Sequence, residues 1–303
     1  METSPAPRDE MHRLNPVKAR SAPGSPSTTE QVRPSPKSSP HPTDTWTNAT
    51  IVERVDLNEE LALFRLLPDA GVPKFEPGQF VTLGLPDGSD ASRAGRVKLI
   101  RRAYSVASSP TEERWLELYI VLVTEGKLTP KLWELHGGDR LWVAPRIGGR
   151  FTLNGVADGR TLVMVGTGTG VAPFHAMYLR YRKAGRWSRF VLFDGCRYVR
   201  DLGYREEFER YAAEDPSLVY LPTVTREAAD HPWPGLRGRV TEHLEPSRFH
   251  RLVGEPLVPE TCSVFLCGNP QMIDQCEALL GEHGFHTHGK KRPEGTVHLE
   301  RYW

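Results

Sequence analysis

Gly166-Thr167-Gly168-Thr169-Gly170 follows the apolar run TLVMV and precedes VAPFHAMYLRYRKA. Glycines between a strand and a helix let the backbone approach a pyrophosphate, which the helix N-terminus then attracts. The spacing is not G-x-G-x-x-G, so a bound dinucleotide is one reading and a purely structural turn the other. The next apolar run, RFVLFD, ends at Asp194 and is followed by Arg197. An acid there suits the ribose hydroxyls of NAD, whereas an arginine suits the 2′-phosphate of NADP. Arg226 in VTRE and Arg239 in GLRGRV add two further guanidinium groups. Each alone reads as a solvated surface arginine; converging, the set could clamp a dianionic phosphate, and this favours NADP.

Upstream, Arg102-Ala103-Tyr104-Ser105 stands in a strand pattern, where alternation sends Arg102 and Tyr104 to one face and Ala103 and Ser105 to the other. Arginine can hold a pyrophosphate and tyrosine can stack on an aromatic ring, but an edge strand with an exposed arginine reads the same way. Cys267-Gly268 closes a later strand, and Cys267 reads equally as a buried small hydrophobe. Cys262 and Cys267 have C-x4-C spacing, yet Cys276 follows too late to complete an iron–sulfur ligand set. His283, His286 and His288 form H-x2-H-x-H without a further ligand at zinc spacing. Neither G-x-S-x-G nor H-E-x-x-H occurs, so hydrolase chemistry has no support.

These residues need elements to position them. From Trp46 to about Leu153 short alternating runs, ATIVERV, LALFRL, QFVTLGL, RAYSVA, LELYIVLV and RLWVA, are separated by Gly, Pro and Asp turn signals, the pattern of an antiparallel barrel. After Gly159 the runs TLVMVG, RFVLFD, LVYLPTVT and SVFLCG alternate with helical stretches, the pattern of a parallel Rossmann-like sheet with helices on both faces. Residues 1–45 hold nine of the 26 prolines and seven serines, with no aromatic residue before Trp46. Such a segment buries too little apolar surface to offset ordering and is expected to be a disordered tail. The expected organisation is therefore tail 1–45, barrel 46–155 and Rossmann-like domain 156–303. A ligand belongs in the crevice between them. A formal net charge of +1 gives no global field toward nucleic acid or an anionic membrane. The absence of a long apolar run or secretory signal predicts a cytoplasmic protein with its four cysteines reduced.

Taken in order, PGQF (77–80), RAYS (102–105), LYIV (118–121), GKLTPKL (126–132), GTGTGVAPF (166–174), VTRE (224–227), FLCGNPQM (265–272) and the final ERYW closely resemble the bacterial ferredoxin/flavodoxin–NADP reductases, over about Trp46 to Trp303. The resemblance implies an FAD-binding barrel, an NADP-binding Rossmann-like domain, and hydride transfer between NADPH and FAD with one-electron exchange with ferredoxin or flavodoxin. It implies that Arg102, Ala103, Tyr104 and Ser105 contact FAD, with Tyr104 against the isoalloxazine and Ser105 near N5. Leu118, Tyr119, Ile120 and Val121 would line the flavin through main-chain bonds, and Lys127, Leu128 and Thr129 would form its phosphate loop. Thr167 would touch flavin and nicotinamide together, and Trp303 would cover FAD. For NADP it implies Gly168, Thr169, Gly170, Cys267 and Gly268, with Arg197, Arg226 and Arg239 at the 2′-phosphate; Asp194 departs from the histidine often found at its position. Ser105, Cys267 and Glu300, the last as a proton relay, are the expected catalytic set. Lys290, Lys291 and Arg292 are a candidate docking patch for an acidic carrier, and a monomer is expected. The alternatives are an NADPH-dependent flavin or quinone reductase of the same fold, and a non-catalytic nucleotide-binding sensor.

Overall fold

In β1 (Ala49–Asn58) and β2 (Leu61–Pro68), alternate side chains serve different cores. Ala62, Phe64 and Leu66 point inward with Ala49 and Ile51, whereas Leu61 and Leu63 pack on the opposite side. The computed structural model describes residues 46–88 and 97–302. The expectations for residues 1–45 and for Trp303 lie outside them.

Four further strands complete an antiparallel sheet: β3 (Phe80–Pro86), β4 (Leu99–Ser105), β5 (Leu116–Val121) and β6 (Arg140–Val143), in the order β4-β3-β6-β1-β2-β5. Its two ends meet where Val106 bridges Leu118 and the Ala107 N–H donates to the Glu117 carbonyl at 2.8 Å, so the sheet closes into a barrel. Closure removes the exposed edges of an open sheet. The short helix α1 (Thr129–Trp133) covers one end, with Leu132 in the barrel core. Gly78 of PGQF, at φ 93°, abuts the chain leaving the barrel: a Cβ there would lie 1.8 Å from the Phe151 carbonyl oxygen, so no other residue fits.

The second sheet is wholly parallel. β7 (Thr161–Thr167) leads through α2 (Ala172–Tyr181) to β8 (Arg189–Cys196), then through α3 (Arg205–Glu214) to β9 (Leu218–Val224) and the two-residue β10 (Leu236–Arg237). After α4 (Val240–His243) and α5 (Pro246–Val253) the chain returns to the other side of β7 with β11 (Cys262–Gly268), then α6 (Pro270–Glu282) and β12 (Val297–Arg301). The order β10-β9-β8-β7-β11-β12 reverses direction between β7 and β11, the place where such sheets open a ligand crevice. The central strands β7, β8 and β11 are largely apolar because both faces are buried. Val163, Val165, Val191 and Phe193 face α4, α5 and α6, while Leu162, Met164, Phe190 and Leu192 face α2, α3 and the barrel. Sequence patterning anticipates β1 to β9 and β11, but not the two-residue β10, which is too short to carry a period.

The barrel wall and the parallel sheet share one apolar cluster. Leu61, Leu63, Ala107 and Tyr119 meet Phe151, Phe174, Met164 and Phe265 in it. Phe265 is fully buried, 5.5 Å from the Phe151 ring and 4.3 Å from His298. Polar contacts cross the same seam. Tyr119 donates to the Asp201 carbonyl at 3.2 Å and accepts from the Gly203 N–H at 3.0 Å. Tyr204 donates to Glu117 at 2.9 Å, and His175 sits 2.9 Å from the Ala107 carbonyl and 3.3 Å from Glu207. Burial opposes a charge on His175, but Glu207 outweighs it and raises the imidazole above its ordinary value. Burial likewise opposes charge on Glu207, yet His175 and the Tyr211 hydroxyl bring it down to about 2.

Truncating Phe265→Ala empties a site that cannot collapse and is expected to cost about 3–5 kcal/mol in denaturant unfolding. The His175–Glu207 pair supports the fold fully above the ordinary glutamate pKa of about 4.5 and below the ordinary histidine value of about 6.5. Its support fades as pH falls toward 2 through the Glu207 pKa, or rises through the raised His175 pKa. Thermal midpoints of Glu207→Gln should therefore separate most from wild type between those two values and draw closer to it as pH falls from 4.5 toward 2.

Candidate functional site

At the carboxyl ends of the parallel strands lies a cavity of about 780 Å³. β7 delivers Thr167, Gly168 and Thr169 to its floor, and a single tight turn at Gly168–Val171 leads into α2. The turn rests backbone to backbone on the end of β11: a Cβ on Gly170 would lie 2.3 Å from the Cys267 carbonyl oxygen. Thr167 Oγ1 accepts from the Asn269 N–H at 3.1 Å, joining the turn to the N-terminus of α6. Arg197, Arg226 and Arg239 follow β8, β9 and β10 and line this one cavity. Strand order thus brings together three cations that are far apart in sequence.

Asp194, an alternative ribose ligand on sequence grounds, does not line the cavity. β8 runs two residues further than RFVLFD implies, which leaves Asp194 inside the sheet at 1% exposure, accepting from the Tyr220 hydroxyl at 2.9 Å. Burial pushes its carboxyl up to about 7, against the Tyr220 bond. A buried side chain with its own partner offers nothing to a ribose, so the geometry removes the argument for NAD.

A second cavity of about 400 Å³ opens on the barrel. Arg102, Ala103, Tyr104 and Ser105 of β4 all border it. Ser105 pairs with Phe80 of β3, while Val106 bridges β5. Tyr119, Ile120, Val121, Lys127, Leu128 and Thr129 line it as well. Thr129 Oγ1 donates to the Val123 carbonyl and accepts from the Val123 N–H, both at 3.0 Å, which fixes the loop that carries Lys127. Among the described residues neither Arg102 nor Lys127 has a carboxylate partner, and a pair of free cations with an aromatic ring beside them suits a flavin nucleotide.

The two cavities meet at Val121, Thr169 and Tyr302. Tyr302 donates to the Thr169 carbonyl at 3.0 Å and lies 3.3 Å from Ser105 Oγ. Ser105 donates to Glu300 Oε2 at 3.4 Å, and Cys267 Sγ approaches the same oxygen at 3.9 Å. Burial raises the Glu300 carboxyl to about 7, with the Ser105 and Cys267 contacts opposing. Ser105, Glu300 and Cys267 therefore form one cluster around the junction.

Several residues stand elsewhere than the sequence implies. Leu118 does not line the flavin cavity: its side chain fills the barrel core, and its main chain is paired with Phe64 and Val106. Thr167 borders only the larger cavity, and Thr169 takes the shared position. Cys267 is fully buried and lines neither cavity, its Sγ lying 3.9 Å from Glu300, with burial holding its thiol well above the ordinary range. Gly170 and Gly268 lie behind the turn, where their smallness matters and their surface does not. Lys290, Lys291 and Arg292 precede Val297, at the end of β12 remote from the cavities, about 13 Å along the strand from Arg301. Tyr302 lies within the final ERYW but has no role assigned to it from sequence, and the barrel turn at Asn58–Leu61, which borders the larger cavity, is a functional candidate that no motif or period marks.

The oxidoreductase NAD-binding domain family model matches residues 164–278. The flavodoxin/ferredoxin–NADP reductase of Shigella flexneri is 36% identical over 246 residues, covering 80% of this chain and 93% of that protein. That of Escherichia coli (strain K12) is 35% identical with the same coverage. This chain belongs to the flavodoxin/ferredoxin–NADP reductase family. A ferredoxin NADP+ reductase from Neisseria gonorrhoeae, solved with bound FAD and NADP, superposes with a TM-score of 0.74 at 24% identity, covering 86% of this chain and all of that one. Its likeness extends to both sheets. An Amycolatopsis cytochrome P450 reductase, matched over 69% of its length, superposes at 0.64 with 27% identity.

Within this family member the raised Glu300 pKa has a stability consequence. Between about 4.5 and 7 the folded state holds a proton that the unfolded chain releases, so stability falls as pH rises across that window. Glu300→Gln lacks this loss. Its thermal midpoint relative to wild type should climb from pH 5 to pH 8 and then level off in differential scanning fluorimetry.

Proposed function

We propose that the protein is a ferredoxin/flavodoxin–NADP(+) reductase that holds FAD in the barrel cavity and NADPH in the larger one. The observation that carries this reading is the meeting of an arginine-lined cavity with an aromatic and cationic one at Val121, Thr169 and Tyr302. Arg102 and Lys127 supply charge for the flavin pyrophosphate, and Tyr104 supplies a ring face. Arg197, Arg226 and Arg239 supply the clamp for a 2′-phosphate. A flavin converts one hydride into two single-electron deliveries when bound. The chain contributes position: the shared cluster beneath the junction fixes how the two ligands approach. Ser105 offers a hydroxyl at the junction, and Glu300 holds or yields a proton near neutral pH.

Ferredoxin or flavodoxin as the acceptor follows from family membership. Action as a cytoplasmic monomer is part of the proposal. The four cysteines are buried and form no disulfide, in keeping with a reducing compartment, and no helix among the described residues is long and apolar enough to cross a membrane.

Purified protein should be yellow and bleach on anaerobic titration with NADPH more readily than with NADH. Ferredoxin or flavodoxin should then reoxidise it faster than free flavin or quinones do; the reverse order would establish the flavin or quinone reductase of the same fold. Protein that binds no flavin when offered it would overturn the whole reading. In rapid mixing, Ser105→Ala should slow flavin reduction about 10- to 100-fold, the rate equivalent of one hydrogen bond to a developing charge. NADPH affinity should change much less, and an unchanged reduction rate would remove Ser105 from the chemistry.

A further inference from the structure

The turn between β1 and β2 belongs to the barrel, yet Asn58, Glu60 and Leu61 border the larger cavity beside the arginines. It is held firmly. Asn58 Oδ1 accepts from the Glu60 N–H at 2.9 Å, its amide donates to the Arg200 carbonyl at 3.0 Å, and the Glu60 carbonyl accepts from the Leu122 N–H at 2.7 Å. From this fixed turn Glu60 Oε2 reaches Arg197 Nη2 at 3.2 Å, and Asp201 lies 3.8 Å from Arg197 Nε on the other side. Among the described residues Arg226 and Arg239 make no ion pair, so Arg197 alone of the three is already engaged by carboxylates.

A carboxylate in this position acts twice on a 2′-phosphate, with the same sign each time. It competes for Arg197, and it adds negative charge to the cavity that receives the phosphate. On a nucleotide without that phosphate it has neither effect. We infer that Glu60 is a specificity-determining residue: an anion of the barrel that competes with the 2′-phosphate for Arg197, loosening the hold on NADP(H) and narrowing its margin over NAD(H). This rests on reading Arg197, Arg226 and Arg239 as the 2′-phosphate cluster. The partners are 52% and 54% exposed, so the effect is modest and screened by salt. It falls mainly on release, where affinity differences between related complexes usually lie.

The test uses flavin-loaded protein and calorimetry with two probes, adenosine 2′,5′-bisphosphate and adenosine 5′-monophosphate. Glu60→Gln is expected to bind the bisphosphate roughly two- to fivefold tighter and the monophosphate unchanged, with the gain shrinking at about 0.5 M salt. In an Arg197→Gln background the same change should yield no gain. Unchanged or weaker bisphosphate binding by Glu60→Gln, an equal gain for both probes, or a gain that survives loss of Arg197 would each overturn the inference. The underlying reading fails separately: wild type would then bind the two probes alike, and Arg197→Gln would alter neither. If Arg197→Gln selectively weakens the bisphosphate while Glu60→Gln is inert, only the role of Glu60 falls.

Discussion

The apolar seam between barrel wall and parallel sheet is the constraint on which the site depends. Neither sheet encloses the junction alone. The barrel contributes Ser105, Tyr119 and Val121, and the parallel half contributes Thr169, Glu300 and Tyr302. These groups face one another because Leu61, Leu63, Phe151, Phe174 and Phe265 share a single core. Tight packing resists small displacements, and two ligands meeting across the seam inherit that resistance as a fixed approach. The polar links at Tyr119, Tyr204 and His175 add direction to a contact that apolar packing would leave free to slide.

Beneath the junction the chemistry is arranged by burial. Glu300 is a carboxyl whose proton is held near neutrality by a dry surrounding, with Ser105 and Cys267 as its near neighbours. Asp194 shows the same physics put to a different end, since it is enclosed by the sheet and satisfied by Tyr220. The two acids differ in access. One borders a cavity and can exchange its proton with a ligand, and the other shapes the end of β8.

Much of this was legible in the residues. Alternation located the barrel strands, continuous apolar runs located the buried parallel ones, and the GTGTG turn and the arginines fell on one cavity as their spacing implied. Assigning side chains to faces was less certain. The resemblance implies Leu118 at the flavin, but its side chain lies in the barrel core. Asp194, one of two readings beside Arg197, is enclosed because β8 runs two residues past RFVLFD, and a shift of one or two positions moves a side chain from cavity to core. Cys267 stands at the strand end that the sequence gives it, and its burial follows one of the two readings that its type allows. Glu60 leaves no trace in the pattern: a polar turn gains meaning only from what folds against it.

The turn at Asn58–Leu61 means that the nucleotide cavity is not the private property of the parallel half, although the family model matches only within that half. A chimera made by joining this barrel to the Rossmann-like half of a relative would import a foreign wall into the cavity, with a new neighbour for the residue at position 197. Recombination at the linker near Phe151 would therefore mix the coenzyme preferences of the two parents, and a faithful graft would have to carry the barrel turn along with the sheet.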